Sequence, residues 1–169
     1  MIKLRPWSND DFPILMKTVG NPVMMEHLGD IETRDQIVAR HGRYLDHSRE
    51  RGMFTISLAD SIIVGTVGFW ETTWQSEPIY EAGWQVFPEF WGRGIATQAA
   101  STIVVRAKAQ GNRRFLHAFP AVSNAASNMV CEKAGFAKLG ECMFEYPKGR
   151  FMQCNDWRVD LFDRIERQP

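Results

Sequence analysis

A mixed α/β (α+β) fold, with one central, mostly antiparallel sheet flanked by helices, follows from three features of the sequence. The 169 residues suit one compact unit with its own hydrophobic core, so a single domain is expected over 1–169. Strand-like runs rich in β-branched and aromatic residues are interspersed with stripes of helical spacing. Three of the strand-like runs follow one another directly, as antiparallel strands do. No repeat or long linker divides the chain, and 44% hydrophobic against 24% charged residues is too apolar for a disordered one.

Each element has a local cause. Ile2 to Arg5 alternates apolar and basic residues like a short strand. Ser8-Asn9-Asp10-Asp11 starts a helix carrying Phe12, Leu15, Met16 and Val19, with Pro13 tolerated only near its first turn. Thr33 and Gln36 stand at capping-box spacing, and Ile37, His41, Tyr44, Leu45 and Ser48 continue as one stripe until Gly52. Met53 to Ala59 and Ile62 to Thr73 read as a hairpin through Asp60-Ser61, and Ile79 to Phe87 adds a third strand. Ile95, Ala99, Ile103 and Ala107 form a helical stripe beside Ala96, Ala100 and Val104, stopped by Gly111. Phe115 to Pro120 is a short strand, and Ser123 or Asn124 caps a helix to Ala134 with Gly135 beyond its end. Phe136 to Tyr146 and Phe151 to Phe162 are two last strands joined by Pro147-Lys148-Gly149.

Charge and composition exclude several classes of function. Twenty Lys+Arg balance twenty Asp+Glu, so neither nucleic acid nor an anionic membrane is an expected partner. Met1 to Trp7 lacks a signal-peptide core and no run approaches the roughly 20 apolar residues of a membrane span, which predicts a cytoplasmic protein. Cys131, Cys142 and Cys154 form no CxxC pair, and His27, His41, His47 and His117 form no HExxH, so no disulfide framework and no metal is expected. His41 belongs to an apolar stripe and is expected to pack there.

Val86-Phe87-Pro88-Glu89-Phe90-Trp91-Gly92-Arg93-Gly94-Ile95-Ala96 carries the most chemistry, because a strand passes through a glycine turn straight into a helix. Bare glycines let successive backbone N–H groups converge at a helix N-terminus, which favours a phosphate. Arg93 either adds a charge-assisted contact or is a solvated loop residue. No Lys-Ser/Thr follows the second glycine and the third glycine of the dinucleotide fingerprint is missing, which leaves a phosphate-bearing ligand held by backbone donors.

With these residues in view, the chain resembles the Gcn5-related N-acetyltransferases (GNAT), in particular the branch of ribosomal-protein N-terminal acetyltransferases and their relatives. The resemblance runs from Leu4-Arg5-Pro6 through Gly65-Thr66-Val67-Gly68-Phe69, Glu81-Ala82-Gly83-Trp84 and Pro88 to Thr97, then Asn124-Ala125-Ala126-Ser127 and Glu132-Lys133-Ala134-Gly135-Phe136. It implies that Trp91, Gly92, Arg93, Gly94, Ile95 and Ala96 bind the pyrophosphate of acetyl-CoA, the cosubstrate. Family members usually carry Gln or Arg where Trp91 stands, and its backbone N–H is expected to remain for the ligand. Trp84, Gln85 and Val86 are expected to lend backbone groups to the pantetheine arm, and Asn124 to approach it while also capping its helix.

The same resemblance implies transfer of an acetyl group to a primary amine through a tetrahedral intermediate, with a protein N-terminal α-amine or a small-molecule amine as acceptor. Glu81 matches the family's acidic residue and is the candidate base, and a backbone N–H on its strand, that of Val86, the candidate oxyanion donor. The acid of many members is a tyrosine seven residues after the helix asparagine, where Cys131 stands here as an expected core residue. Ser127, matching the serine of the ribosomal branch, Cys131 and water remain the candidate acids. Trp70, Trp74, Tyr146 and Lys148 are expected to border the acceptor groove, Trp74 as an aromatic in an otherwise polar loop, whereas Trp157 is expected to pack. A noncatalytic acetyl-CoA-binding sensor or scaffold is the alternative, and the chain is expected to be a monomer or homodimer.

Overall fold

Backbone hydrogen bonds join the strand runs into a single sheet whose central strands are covered on both faces, in a computed structural model that describes residues 1–46, 51–59 and 61–163. The strands are β1 (Lys3–Pro6), β2 (Arg51–Ser57), β3 (Ile63–Trp74), β4 (Glu77–Val86), β5 (Phe115–Ala118), β6 (Ala137–Glu145) and β7 (Phe151–Asp160). They lie in the order β1-β2-β3-β4-β5-β7-β6. Every neighbouring pair is antiparallel except β4 and β5. That parallel pair requires a crossover, supplied by the helix Ile95–Gln110.

The helices are α1 (Phe12–Thr18), α2 (Pro22–Met25), α3 (Arg34–Leu45), α4 (Ile95–Gln110) and α5 (Ala125–Lys133). On one sheet face, Ala99, Ile103 and Ala107 of α4 pack with Val67, Tyr80 and Leu116, and Cys131 of α5 joins them. Alanines at the contact let the α4 backbone approach the sheet closely. On the opposite face, Leu15, Val19 and Ile37 of the N-terminal helices pack with Met53 and Phe87. A smaller cluster of Ile79, Phe119 and Cys154, edged by Trp74 and Phe144, lies toward β7.

Local chemistry explains where the structure departs from the sequence expectation. The capping box forms, with Gln36 N–H donating to Thr33 Oγ1 at 3.4 Å and Thr33 N–H donating to Gln36 Oε1 at 2.8 Å. Yet α3 ends at Leu45 and Asp46 turns extended, while Gly52 lies within β2. A side chain at Gly52 would run into the Phe54 and Phe69 rings, so this glycine serves packing rather than helix termination. Ser48, expected on the α3 stripe, and Asp60, expected in the hairpin turn, lie outside the described residues. The short α2 was not expected, although Asn21 caps it by accepting the Val23 N–H at 2.9 Å and Pro22 occupies its first position.

The expected polar loop from Glu71 to Glu77 is instead the ends of β3 and β4 joined by Gln75 and Ser76. Both turn residues have positive φ, 50° and 66°, the backbone of a two-residue hairpin without its usual glycine or asparagine. Trp74 is therefore a strand residue.

β4 pairs with β3 along its whole length, from Glu77 with Trp74 to Val86 with Gly65. It pairs with β5 only at Tyr80 with Leu116 and Glu81 with His117. Beyond Glu81 the two strands part and leave a wedge. At its far end a Cβ on Gly65 would overlap the Gln85 carbonyl oxygen and crowd the Val86 backbone. Backbone cannot yield as a side-chain tip does, so Gly65→Ala is expected to cost about 2–3 kcal/mol in urea unfolding, whereas Gly42→Ala, which meets nothing within 4 Å inside α3, is expected to stabilise by roughly 0.5–1 kcal/mol.

Candidate functional site

The edge of the wedge is made by backbone. Phe87 N–H donates to the Val64 carbonyl at 2.8 Å, and the Gln85 carbonyl faces Gly65, so both residues turn their polar groups toward β3. By strand alternation, Trp84 and Val86 turn theirs into the wedge. Trp91 takes one of these groups, its indole Nε1 donating to the Val86 carbonyl at 2.6 Å. The Trp91 backbone N–H, expected to remain for a ligand, instead donates to the Pro88 carbonyl at 3.1 Å, closing a 3-10 turn over Pro88–Phe90.

Beyond Trp91 the loop is open. Gly92 and Gly94 have φ of 74° and 71°, and a Cβ at either would meet nothing within 4 Å. This left-handed backbone suits glycine and turns the chain directly into α4. The first α4 bond is Gln98 N–H to the Gly94 carbonyl at 3.0 Å. The N–H groups of Gly94, Ile95, Ala96 and Thr97 thus lack helical acceptors and converge at the positive end of a 16-residue helix. Arg93 folds back, donating to the Glu89 carbonyl at 3.1 Å with its guanidinium 5.2 Å from the Phe90 ring centre.

Glu81 stands at the other end of the wedge, where β4 and β5 part. Val86 lies five positions further along β4, about 17 Å of extended strand. Trp70, its register partner on β3, donates its indole N–H to Glu81 Oε2 at 3.1 Å. Gly83 makes room for that indole, since a Cβ there would lie 2.9 Å from the Trp70 ring. Burial pushes the Glu81 carboxyl up to about 7, against the opposing effect of the Trp70 hydrogen bond. Protein surrounds the group, yet the residue retains solvent contact, as on the floor of a crevice. Gln85, on the same face, keeps a buried Nε2 with no hydrogen-bond partner among the described residues.

Next to Glu81 lies a pair that the sequence did not announce. His117 Nδ1 is 2.7 Å from Asp156 Oδ1, and Trp74 Nε1 donates to Asp156 Oδ2 at 3.0 Å. Trp74 packs against Phe119 and Phe144, so its indole bridges from β3 to β7 instead of standing in a loop. The sequence signal was a pair of adjacent polar residues, Asn155-Asp156, set between Cys154 and Trp157 on the strand; nothing in it named the partner.

The remaining candidates sit on other elements of the fold. Asn124 caps α5, its Oδ1 accepting the Ser127 N–H at 3.0 Å. The half-buried Ser127 hydroxyl makes no hydrogen bond among the described residues. Cys131 is fully buried in the core, and burial pushes its thiol up to about 12, leaving it un-ionised. Trp157 packs and donates its indole N–H to Asn128 Oδ1 at 2.8 Å. Tyr146 accepts from Arg40 at 2.9 Å, which ties α3 to the β6–β7 turn, where Lys148 is exposed. His41 is packed, accepting the Trp7 indole N–H at 3.1 Å. Among the described residues no group of three or more His, Cys, Asp or Glu is arranged to hold a metal ion, and no helix is long and apolar enough to cross a membrane.

Comparison with known proteins places this architecture. The family model for the acetyltransferase (GNAT) domain matches residues 2–137. Similar solved structures include a spermidine N-acetyltransferase from Vibrio cholerae in complex with CoA and spermine, with a TM-score of 0.78 and 18% identity over 95% of each chain. An N-acetyltransferase from Staphylococcus aureus Mu50 has a TM-score of 0.75 and 21% identity over 95% of this chain and 99% of that one. The aminoglycoside acetyltransferase AAC(6')-Ib in complex with coenzyme A has a TM-score of 0.76 and 16% identity over 95% of each chain. These likenesses speak for the fold, and the family match spans most of the chain. A wedge between β4 and β5, closed at one end by an open glycine loop and at the other by a carboxyl group, sits on that fold: the chain belongs to the GNAT family of acetyltransferases, enzymes that transfer an acetyl group from acetyl-CoA to an amine.

Proposed function

We propose that the chain, acting as one domain over 1–169, acetylates a primary amine with Glu81 as the base. The observation that carries this reading is the placement of a carboxyl with its pKa raised to about 7 at the point where β4 and β5 part. Acetyl-CoA fits the remainder by the chemistry of the donors. Gly92, Gly94, Ile95 and Ala96 offer backbone N–H groups to the pyrophosphate, and Arg93 lies beside them. Trp84 and Val86 offer wedge-facing backbone groups to the pantetheine arm, with Gln85 between them, and Asn124 at the start of α5 is assigned to the same arm. Acetyl-CoA supplies an activated acyl carbon and a thiolate leaving group.

The chain's own residues then have three tasks. Glu81 removes a proton from the incoming ammonium, which frees the nitrogen lone pair. The Val86 N–H, expected from the resemblance to hold the oxyanion, lies about 17 Å along β4 from Glu81. That is too far to reach the oxyanion formed by an amine that Glu81 deprotonates, and its task is instead to donate to the pantetheine arm. The Ser127 hydroxyl, with no hydrogen bond among the described residues, relays a proton to the departing sulfur and takes its replacement from water. The neighbours whose printed names mention spermidine and aminoglycosides support a small-molecule amine; the protein N-terminal α-amine is the second acceptor class to test.

Thiol release from acetyl-CoA, measured against α-amine peptides, polyamines, aminoglycosides and amino acids, tests this reading. The parent is expected to turn over at least one of these classes, and Glu81→Gln to lower kcat/KM by roughly 10²–10⁴-fold. Below pH 7 the carboxyl is protonated and cannot accept, so the parent's kcat/KM is expected to rise through about pH 7. Glu81→Gln should lose that step. No turnover of any amine while acetyl-CoA still raises the melting temperature would instead identify a binding module.

Stability supplies a readout free of catalysis. Because folding raises the Glu81 pKa from its ordinary 4.5, the fold favours the protonated form, and stability is lost as pH rises from that value through about 7. Glu81→Gln is expected to be more stable than the parent at pH 8 by roughly 1–3 kcal/mol, with the gap closing below pH 4.5. Trp70→Phe removes the hydrogen bond that favours the carboxylate, so a carbon-detected NMR titration is expected to show Glu81 ionising at higher pH than in the parent.

A further inference from the structure

Acetylation removes two protons from an amine, and Glu81 holds only one at a time. The nitrogen arrives at neutral pH as R–NH3+ and leaves as an amide N–H. One proton departs before the lone pair can attack, the second once the nitrogen–carbon bond has formed. A second acceptor beside Glu81 would complete the transfer.

His117 stands in that position. It is the register partner of Glu81 on the β4–β5 ladder. Such partners on neighbouring strands lie about 5 Å apart with side chains on one face. The ring is held on three sides. It stacks on Phe119 at 5.6 Å and an interplanar angle of 19°, meets the Phe115 edge, and binds Asp156 through Nδ1. The Asp156 carboxylate already accepts from Trp74, and a carboxylate can only accept, so the bond to Nδ1 fixes the proton there. In the neutral ring Nε2 then carries the lone pair, and it has no hydrogen-bond partner among the described residues. Other ionisable groups on this face are Arg158, the β7 register partner of His117, whose guanidinium lies 4.2 Å from the Phe115 ring centre, Asp160, which pairs with Arg114 at the strand end, and the un-ionised Cys154 and Cys142 thiols.

We propose that His117 is a second catalytic acceptor, presenting Nε2 to the substrate amine beside Glu81, with Asp156 as its positioning residue. Glu81 takes the first proton. His117 Nε2 accepts a hydrogen bond from one of the remaining N–H groups, which aims the lone pair, and takes that proton when the nitrogen–carbon bond forms. The N–H bond breaks with its electrons retained by nitrogen, an Nε2–H bond forms, and Asp156 balances the imidazolium charge until the proton passes to water. The assignment rests on the acetyl-transfer reading above.

Two measurements on the full chain test it. Nitrogen NMR of the histidine rings at pH 8 is expected to find His117 protonated at Nδ1 and bare at Nε2, a preference lost in Asp156→Asn. An Nε2-protonated ring in the parent overturns the proposal without reference to turnover. In steady-state assays with the best amine of the panel, His117→Gln is expected to lower kcat/KM for the amine roughly 10²-fold while the KM for acetyl-CoA stays within about twofold. His117→Phe keeps the stack on Phe119 but has no acceptor, and is expected to fall at least as far. Full activity in His117→Phe overturns the assignment alone, as does a parallel loss of acetyl-CoA affinity, which marks a structural role. No turnover by the parent overturns the acetyl-transfer reading and this assignment together.

Discussion

Unequal pairing of one strand governs the site. β4 stays bonded to β3 through Val86 but leaves β5 after Glu81. Backbone groups deprived of a partner strand must bond to something else or to water, and here they face a wedge whose mouth is the α4 N-terminus. Gly65 permits the last step of the β3–β4 ladder because no side chain separates it from Gln85 and Val86. The crossover through α4 forces the β4–β5 pair to be parallel, and α4 is in turn held by Ala99, Ile103 and Ala107 against the sheet. Core packing and the geometry of the site are therefore one constraint.

The same arrangement accounts for the electrostatics. A carboxyl on a strand flanked by Trp70 and the Ile79 cluster loses water, and its single indole donor does not restore what water supplied, so the Glu81 proton is held to about pH 7. A base with that pKa is half ionised at neutrality and still strong enough to accept a proton. Indoles recur here for a physical reason. Each provides an N–H for a carboxylate and an apolar body that excludes solvent: Trp70 for Glu81, Trp74 for Asp156.

Much of this was legible in the sequence because it is local. The α4 stripe, the glycine loop and the Asn124 cap are each set by residues within a few positions of one another. What escaped was set at long range or by unusual backbone. Gly52 resembles a helix stop but is required by the rings of Phe54 and Phe69. Gln75 and Ser76 take positive φ without being glycine, so the end of β3 looked like a polar loop around Trp74. His117 finds Asp156 across 39 positions of sequence, a pairing that only the β5–β7 ladder creates. The indole of Trp91 bonds the strand it follows, which motif comparison alone did not show, because the family's more usual Gln or Arg suggested nothing about an aromatic.

Trp91 also sets the polarity of the wedge. With the Val86 carbonyl taken by its indole and its own N–H turned to Pro88, the polar groups left at this end are N–H donors: that of Val86 and those opening α4. At the opposite end, Glu81 and His117 Nε2 are acceptors. Donors where negative charge must be held and acceptors where an amine must lose protons form a polarised channel about 17 Å long. Its direction follows from β4, whose residues alternate between the two faces while its unpaired edge runs straight from one end to the other. Reversing either end, by an acceptor at the loop or a fixed donor at His117, would oppose the pyrophosphate charge at one end or the proton transfer at the other, so the polarity of the wedge constrains the chemistry as closely as its shape does.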